Sequence, residues 1–145
     1  MTVAVLFWLL TLLGCGFAAT YGGKDGRWAV FLIISATLLT IPAMLFGRQW
    51  HSTEFAIFLV DLLLLANLYG LCLRSERYFP IWMTGFHLVA VTTHLSTLIA
   101  PEFTPRIYRA LGSVWAIPMT LSMIVGIALD RAASRRAGRR EQAPP

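Results

Sequence analysis

Five apolar stretches of about twenty residues each, near positions 2–20, 28–46, 55–73, 79–100 and 107–129, leave this chain few ways to fold. A helix of that length, at about 1.5 Å per residue, spans the hydrocarbon core of a bilayer, about 30 Å thick. In lipid every backbone N–H and C=O must find its partner inside the protein, which leaves helices or a closed barrel. The stretches show no strict alternation of apolar and polar residues, so they read as helices and not as barrel strands. Composition excludes an ordinary soluble domain: 57% of residues are hydrophobic and only 13% charged, where about a quarter charged is usual. The expected fold is an all-α integral membrane bundle of five transmembrane helices with short loops.

The segments between the spans fit that reading. Tyr21 to Arg27, YGGKDGR, reads as a turn with three glycines. Pro42 should kink or loosen the end of the second span. GRQWHSTE places His51 beside Trp50 in an interfacial loop, and Arg74 to Arg77 make a tight charged turn. Pro80 suits the first turn of the fourth span, where the missing N–H costs nothing, and Tyr78 and Trp82 fit an aromatic belt. PEFTP at 101–105 reads as a proline-bounded loop, and Pro118 falls inside the fifth span. From Asp130 the composition changes to DRAASRRAGRREQAPP, read as a disordered basic tail in water or along lipid headgroups, with Arg131, Arg135, Arg136, Arg139 and Arg140 as headgroup contacts. The domain is thus 1–129, with a basic cytoplasmic tail at 130–145.

The first span lacks the basic start of a signal peptide. LLGC, ending at Cys15, loosely resembles a lipoprotein cleavage site, but Leu13 and the missing positive residues favour a retained helix. Cys15 and Cys72 have no C-x-x-C spacing and read as small buried hydrophobes.

Charge sets the expected orientation. One side of the bundle would carry Lys24, Arg27, Arg74, Arg77 and the five arginines of the tail, the other only Arg48, Arg106 and Arg109. The positive-inside rule then puts the N-terminus out and the C-terminus in, in a bacterial inner membrane. The net charge of +5 arises from these loops and the tail, and no nucleic-acid-binding motif accompanies it, so nucleic acid is not an expected partner. Lipid is, together with a membrane-protein partner or a second copy.

Polar residues at membrane depth are expensive and are functional candidates by default. His87 and His94 lie seven residues apart, on one face of the fourth span, with Thr84, Val91 and Leu98 continuing the stripe. Counting from the loops places Asp61 and His94 at about one level on adjacent antiparallel helices, so the two can meet. Thr40, Trp8 and Trp115 fall near the same level, which suggests a polar pocket in the outer half. Asn67 and His87 form a weaker candidate pair, because Asp61 and Asn67 are about 120° apart around their helix. Such residues serve either as hydrogen-bonding glue between helices or as a proton or ligand pathway.

Most chemistries lack their residues. There is no H-E-x-x-H, no cysteine cluster, no G-x-S-x-G and no phosphate-binding glycine loop. No cofactor is expected. Two histidines on one helix face cannot clasp one haem from both sides, although haem or a chlorin pigment on His87 or His94 alone stays conceivable, as does copper near Met83, Met119 or Met123.

The segment RYFPIWMTGFHLVAVTTHLSTLIAP, Arg77 to Pro101, resembles a stretch of uncharacterised small multi-pass membrane proteins of alphaproteobacteria. That resemblance implies a membrane bundle and no known activity. The proline- and tryptophan-rich loop of the tryptophan-rich sensory proteins is missing. The expected role is a non-enzymatic accessory or assembly subunit. The alternatives are a small transporter or ligand-binding protein using Asp61 and His94, and a cofactor-holding electron-transfer subunit.

Overall fold

The computed structural model describes residues 2–49, 53–99 and 114–141, and every element in it is an α-helix. These are α1 (Thr2–Tyr21), α2 (Gly23–Gln49), α3 (Thr53–Arg74), α4 (Phe79–Ile99) and α5 (Ala116–Glu141). Neighbours in sequence pack as neighbours in space, and α5 returns to α1, so the five helices close into a ring.

The centre of that ring is filled. Leu68, Met83, Met123 and Ile127 are fully buried, with Phe79 almost so. They belong to one apolar cluster with Ala18, Ala29, Ile33, Leu64 and Met119. Each helix contributes residues three or four apart, which is the spacing of one helical face. Ala29, Ile33 and Ala36 line that face of α2, and Met119, Met123 and Ile127 that of α5. The outside of the ring is apolar as well: Leu12, Leu13, Leu38, Leu63, Leu73 and Leu129 all point outward. Apolar flanks of this extent mark a surface made for lipid or for another protein.

Side-chain hydroxyls are handled within their own helices. Thr11, Thr37, Thr40, Thr84, Thr92, Thr93, Ser96 and Thr120 each donate to the carbonyl four residues back, at 2.7–2.9 Å. That satisfies the O–H without water, as an apolar environment demands.

Close packing centres on the end of α1 and the start of α2. Gly14, Ala18, Gly22 and Gly26 recur every four residues and all are buried. A methyl group on Gly14 would meet Thr120 Cγ2 at 2.7 Å, and one on Gly22 would meet the Ala18 carbonyl oxygen at 2.5 Å and Ile127 Cδ1 at 2.9 Å. Small residues at this spacing let helix backbones approach, the usual basis of membrane helix association. Gly23, at φ 64°, supplies the left-handed step between α1 and α2. Gly70 and Gly85 face open space. Gly70→Ala and Gly85→Ala should therefore each stabilise the bundle by about 0.5–1 kcal/mol through helix propensity, whereas Gly22→Ala should destabilise it. Thermal unfolding in detergent, followed by far-UV circular dichroism, reads the sign. A loss for all three would mean that packing is not what separates these glycines.

Several expectations need correction. Among the described residues three helices, not five, are long and apolar enough to cross a bilayer: Gly23–Ala43, Phe55–Arg74 and Ala116–Arg139. Of α1, the stretch with described side chains, Phe7–Tyr21, is apolar but shorter than a span, and α4 carries two histidines and several hydroxyls that dilute its hydropathy. The turn expected over 21–27 shrinks to the Gly22–Gly23 step, with Lys24 to Arg27 already helical. Pro42 stands inside α2 without ending it. The tail expected to be disordered is helix as far as Glu141. Alanine, arginine and glutamate are good helix formers, and prolonging an existing helix needs no new nucleus. Trp50, His51, the 101–105 loop, Arg106, Arg109 and residues 107–113 of the fifth expected span lie outside the described residues, as do the side chains of Arg48 and Arg140.

Candidate functional site

Two polar clusters stand out, one within the bundle and one at its end. The inner cluster sits between α3 and α4, where Asp61 faces both histidines. His94 Nε2 lies 3.3 Å from Asp61 Oδ2. His87 Nε2 lies 2.9 Å from the backbone carbonyl oxygen of Asp61. A carbonyl only accepts, so His87 must carry its proton on Nε2 and donate. His87 occupies the core face of α4 and is 6% exposed, the bulkiest polar side chain in the buried set. Asp61 and His94 are less enclosed, with 23% and 28% of their side-chain surfaces exposed. The seven-residue spacing of the histidines thus brackets one residue of the neighbouring helix, one imidazole on its backbone and the other on its carboxylate. An imidazole that ligated a metal through Nε2 would give up its Asp61 contact.

The other residues expected around this pair do not join it. Asn67 is exposed, and its Nδ2 donates to the Leu63 carbonyl within α3 at 2.8 Å, so the Asn67–His87 pair does not form. The rotation between Asp61 and Asn67 decides this: with Asp61 turned to α4, Asn67 faces outward. Thr40 is bonded to Ala36 in its own helix at 2.9 Å. Trp8 is half exposed, edge-on to Phe7 on α1. Trp115 precedes α5, where its carbonyl accepts from Met119 N. Met83, Met119 and Met123 are buried in the core.

A double-mutant cycle on Asp61→Ala and His94→Ala measures the pair. The expected coupling is about 0.5–1.5 kcal/mol, the range for polar contacts between membrane helices. Strict additivity of the two losses would reduce the contact to mere proximity.

The second cluster lies where the ends of four helices meet. Arg77, just before α4, donates from Nη1 to the Gly22 carbonyl at 2.9 Å. Its Nε stands 3.9 Å from Asp25 Oδ2 and 3.8 Å from Asp130 Oδ2. Ser75 Oγ donates to Asp25 at 2.7 Å and accepts from Arg77 N at 3.1 Å. One guanidinium therefore ties the α1–α2 step, the α3–α4 turn and α5 together. Arg131 adds a further link, its guanidinium 4.1 Å from the centre of the Tyr21 ring. Around this end Tyr21, Trp28, Tyr78 and Trp82 point outward, the placement of an interfacial aromatic belt.

Two hollows open here. One, of about 840 Å³, is lined by Lys24, Asp25, Arg74, Glu76, Arg77, Asp130, Ala133 and Ser134. A smaller one, of about 230 Å³, is lined by Arg77, Asp130, Arg131, Ser134 and Arg135. Sequence reasoning missed this network, though Asp25, Arg77 and Asp130 each stand at the same end of an apolar stretch. The depth matching that pairs Asp61 with His94 would have put them at one level too.

Of the five tail arginines, Arg131 and Arg135 reach these hollows, and Arg136 and Arg139 are exposed further along α5. Set against known protein families, characterised proteins and solved structures, the chain matches none.

Proposed function

We propose that this chain is a small non-enzymatic protein of a bacterial inner membrane, an accessory or assembly subunit that packs its apolar flanks against membrane partners. All five helices cross the bilayer in this reading. α1 and α4, at 20 and 21 residues, are long enough at about 1.5 Å per residue, and both imidazoles of α4 have partners on α3. The end that gathers Lys24, Arg74, Arg77, Arg131 and Arg135 faces the cytoplasm, which leaves the N-terminus outside. The resemblance of residues 77–101 to small bacterial membrane proteins supports the compartment.

The observation that carries the role is the filled ring. Between the Asp61 level and the arginine end lie Leu64, Leu68, Phe79, Met83 and Ile127, all buried. A solute path through the middle of the ring would have to displace that plug, so the bundle's surface is left as its working part.

Native mass spectrometry of the protein extracted from its own membrane in mild detergent tests this. A second polypeptide retained at fixed stoichiometry is the expected result. A bare monomer would count against it and favour the second reading, a small transporter or ligand-binding protein. That second reading draws on one observation: Asp61 and His94 are in contact yet neither is fully enclosed, as a proton or ligand site requires. Asp61→Asn would then fold normally and lose activity, where a purely structural pair would lose stability alone.

A further inference from the structure

The two hollows at the arginine end share a wall, formed by Arg77, Asp130 and Ser134. On one side of it stand Lys24 and Arg74, on the other Arg131 and Arg135. Two pairs of cations, held apart by a common partition, suit two anionic groups joined by a short bridge. Arg77 is already committed to Gly22, Asp25 and Asp130. Lys24, Arg74 and Arg135 are exposed and have no ion-pair partner among the described residues.

We propose that this end binds the headgroup of a glycerophospholipid with two phosphates joined through one glycerol, the chemistry of cardiolipin. One phosphate lies against Lys24 and Arg74, the other against Arg131 and Arg135. The bridging glycerol spans the partition between the two hollows. Arg131 stacks on Tyr21 through its face and keeps its N–H edge for a phosphate oxygen. Basic hollows between membrane helices on the cytoplasmic side are natural headgroup sites. A single-phosphate lipid would fill one hollow and leave the other cation pair unmatched. The assignment rests on the reading of this end as a membrane surface.

The test uses the whole chain, purified in mild detergent and stripped of lipid. Cardiolipin, phosphatidylglycerol and inorganic phosphate are each titrated and followed by native mass spectrometry. Cardiolipin should bind at least about tenfold more tightly than phosphatidylglycerol. In the variant Lys24→Ser/Arg135→Ser the preference for cardiolipin should fall by about tenfold or more. Both side chains are exposed, so an unchanged far-UV spectrum and unfolding midpoint without lipid should confirm the fold. Equal binding of the two lipids, displacement of lipid by inorganic phosphate, or an unaffected double variant would each overturn the proposal. Resistance of the protein to carbonate extraction from membranes is scored separately, so failure of the membrane reading shows there and not in the titration.

Discussion

Arg77→Ala should lower the stability of the bundle by about 2–3 kcal/mol, the largest loss of any single change at the arginine end. The magnitude comes mainly from one bond. Nη1 donates to the Gly22 carbonyl at 2.9 Å, whereas the approaches to Asp25 and Asp130 are 3.9 and 3.8 Å and partly exposed. Loose, exposed ion pairs contribute little each, typically about 0–1 kcal/mol. A charged donor on a carbonyl contributes about 1.5–3 kcal/mol. The loss is made worse by what remains, because Asp130 Oδ2 is buried with no hydrogen-bond donor even in the intact protein. Arg77→Lys should recover less than half of the stability, since a single ammonium cannot face the carbonyl and both carboxylates at once. Asp25→Asn, which removes only a long ion pair, should cost under about 1 kcal/mol. Titration from a mild into a denaturing detergent, followed by circular dichroism, ranks the three. An alanine variant as stable as the parent would show that the helix ends hold without their arginine.

The second large effect is steric. A methyl at Gly126 would run into Phe79 Cβ and approach Phe79 Cα at 3.2 Å. Those atoms belong to the start of α4, so no flexible tip can swing aside. Gly126→Leu should destabilise by about 2–3 kcal/mol through overpacking. Phe79→Ala should cost about 3–5 kcal/mol by leaving a cavity in the fully buried core. Combined, the two should cost nearly their sum, because Phe79→Ala keeps the Cα and Cβ that the added side chain meets. A double variant clearly more stable than that sum would place the clash on the phenyl ring instead of the backbone of α4.

How much of this could be read from the sequence follows from the range of each interaction. Helix type and number follow from local apolarity, which needs no partner. Depth along a helix follows from counting residues, and that count brings Asp61 and His94 to one level. Rotation about the helix axis does not, because α3 is apolar on every side and its pattern does not fix which face turns inward. Asn67 therefore looks as eligible as Asp61 until α4 is in place. Lys24 and Asp25, charged residues among glycines, look like a loop, yet the backbone gives up only the Gly22–Gly23 step. Arg131 to Arg140 look like a tail by their charge, although alanine and arginine favour the helix that continues through them. The Gly14–Ala18–Gly22–Gly26 repeat was legible at four-residue spacing, but its partners Thr120 and Ile127 were not.

The closure of α5 onto α1 also has an order in time. The small-residue seam along the end of α1 and the start of α2 finds Thr120, Ile124 and Ile127 only once α5, the last of the described helices, has been synthesised. Until then the seam has no cover and offers any passing helix with a complementary ridge a place to dock. Assembly of the bundle is thus a late, nearly all-or-none event, set by the arrival of the last helix and not by the insertion of the first. A ribosome stalled before α5 would leave a four-helix intermediate with its stickiest face open, the form most prone to pair with the wrong neighbour.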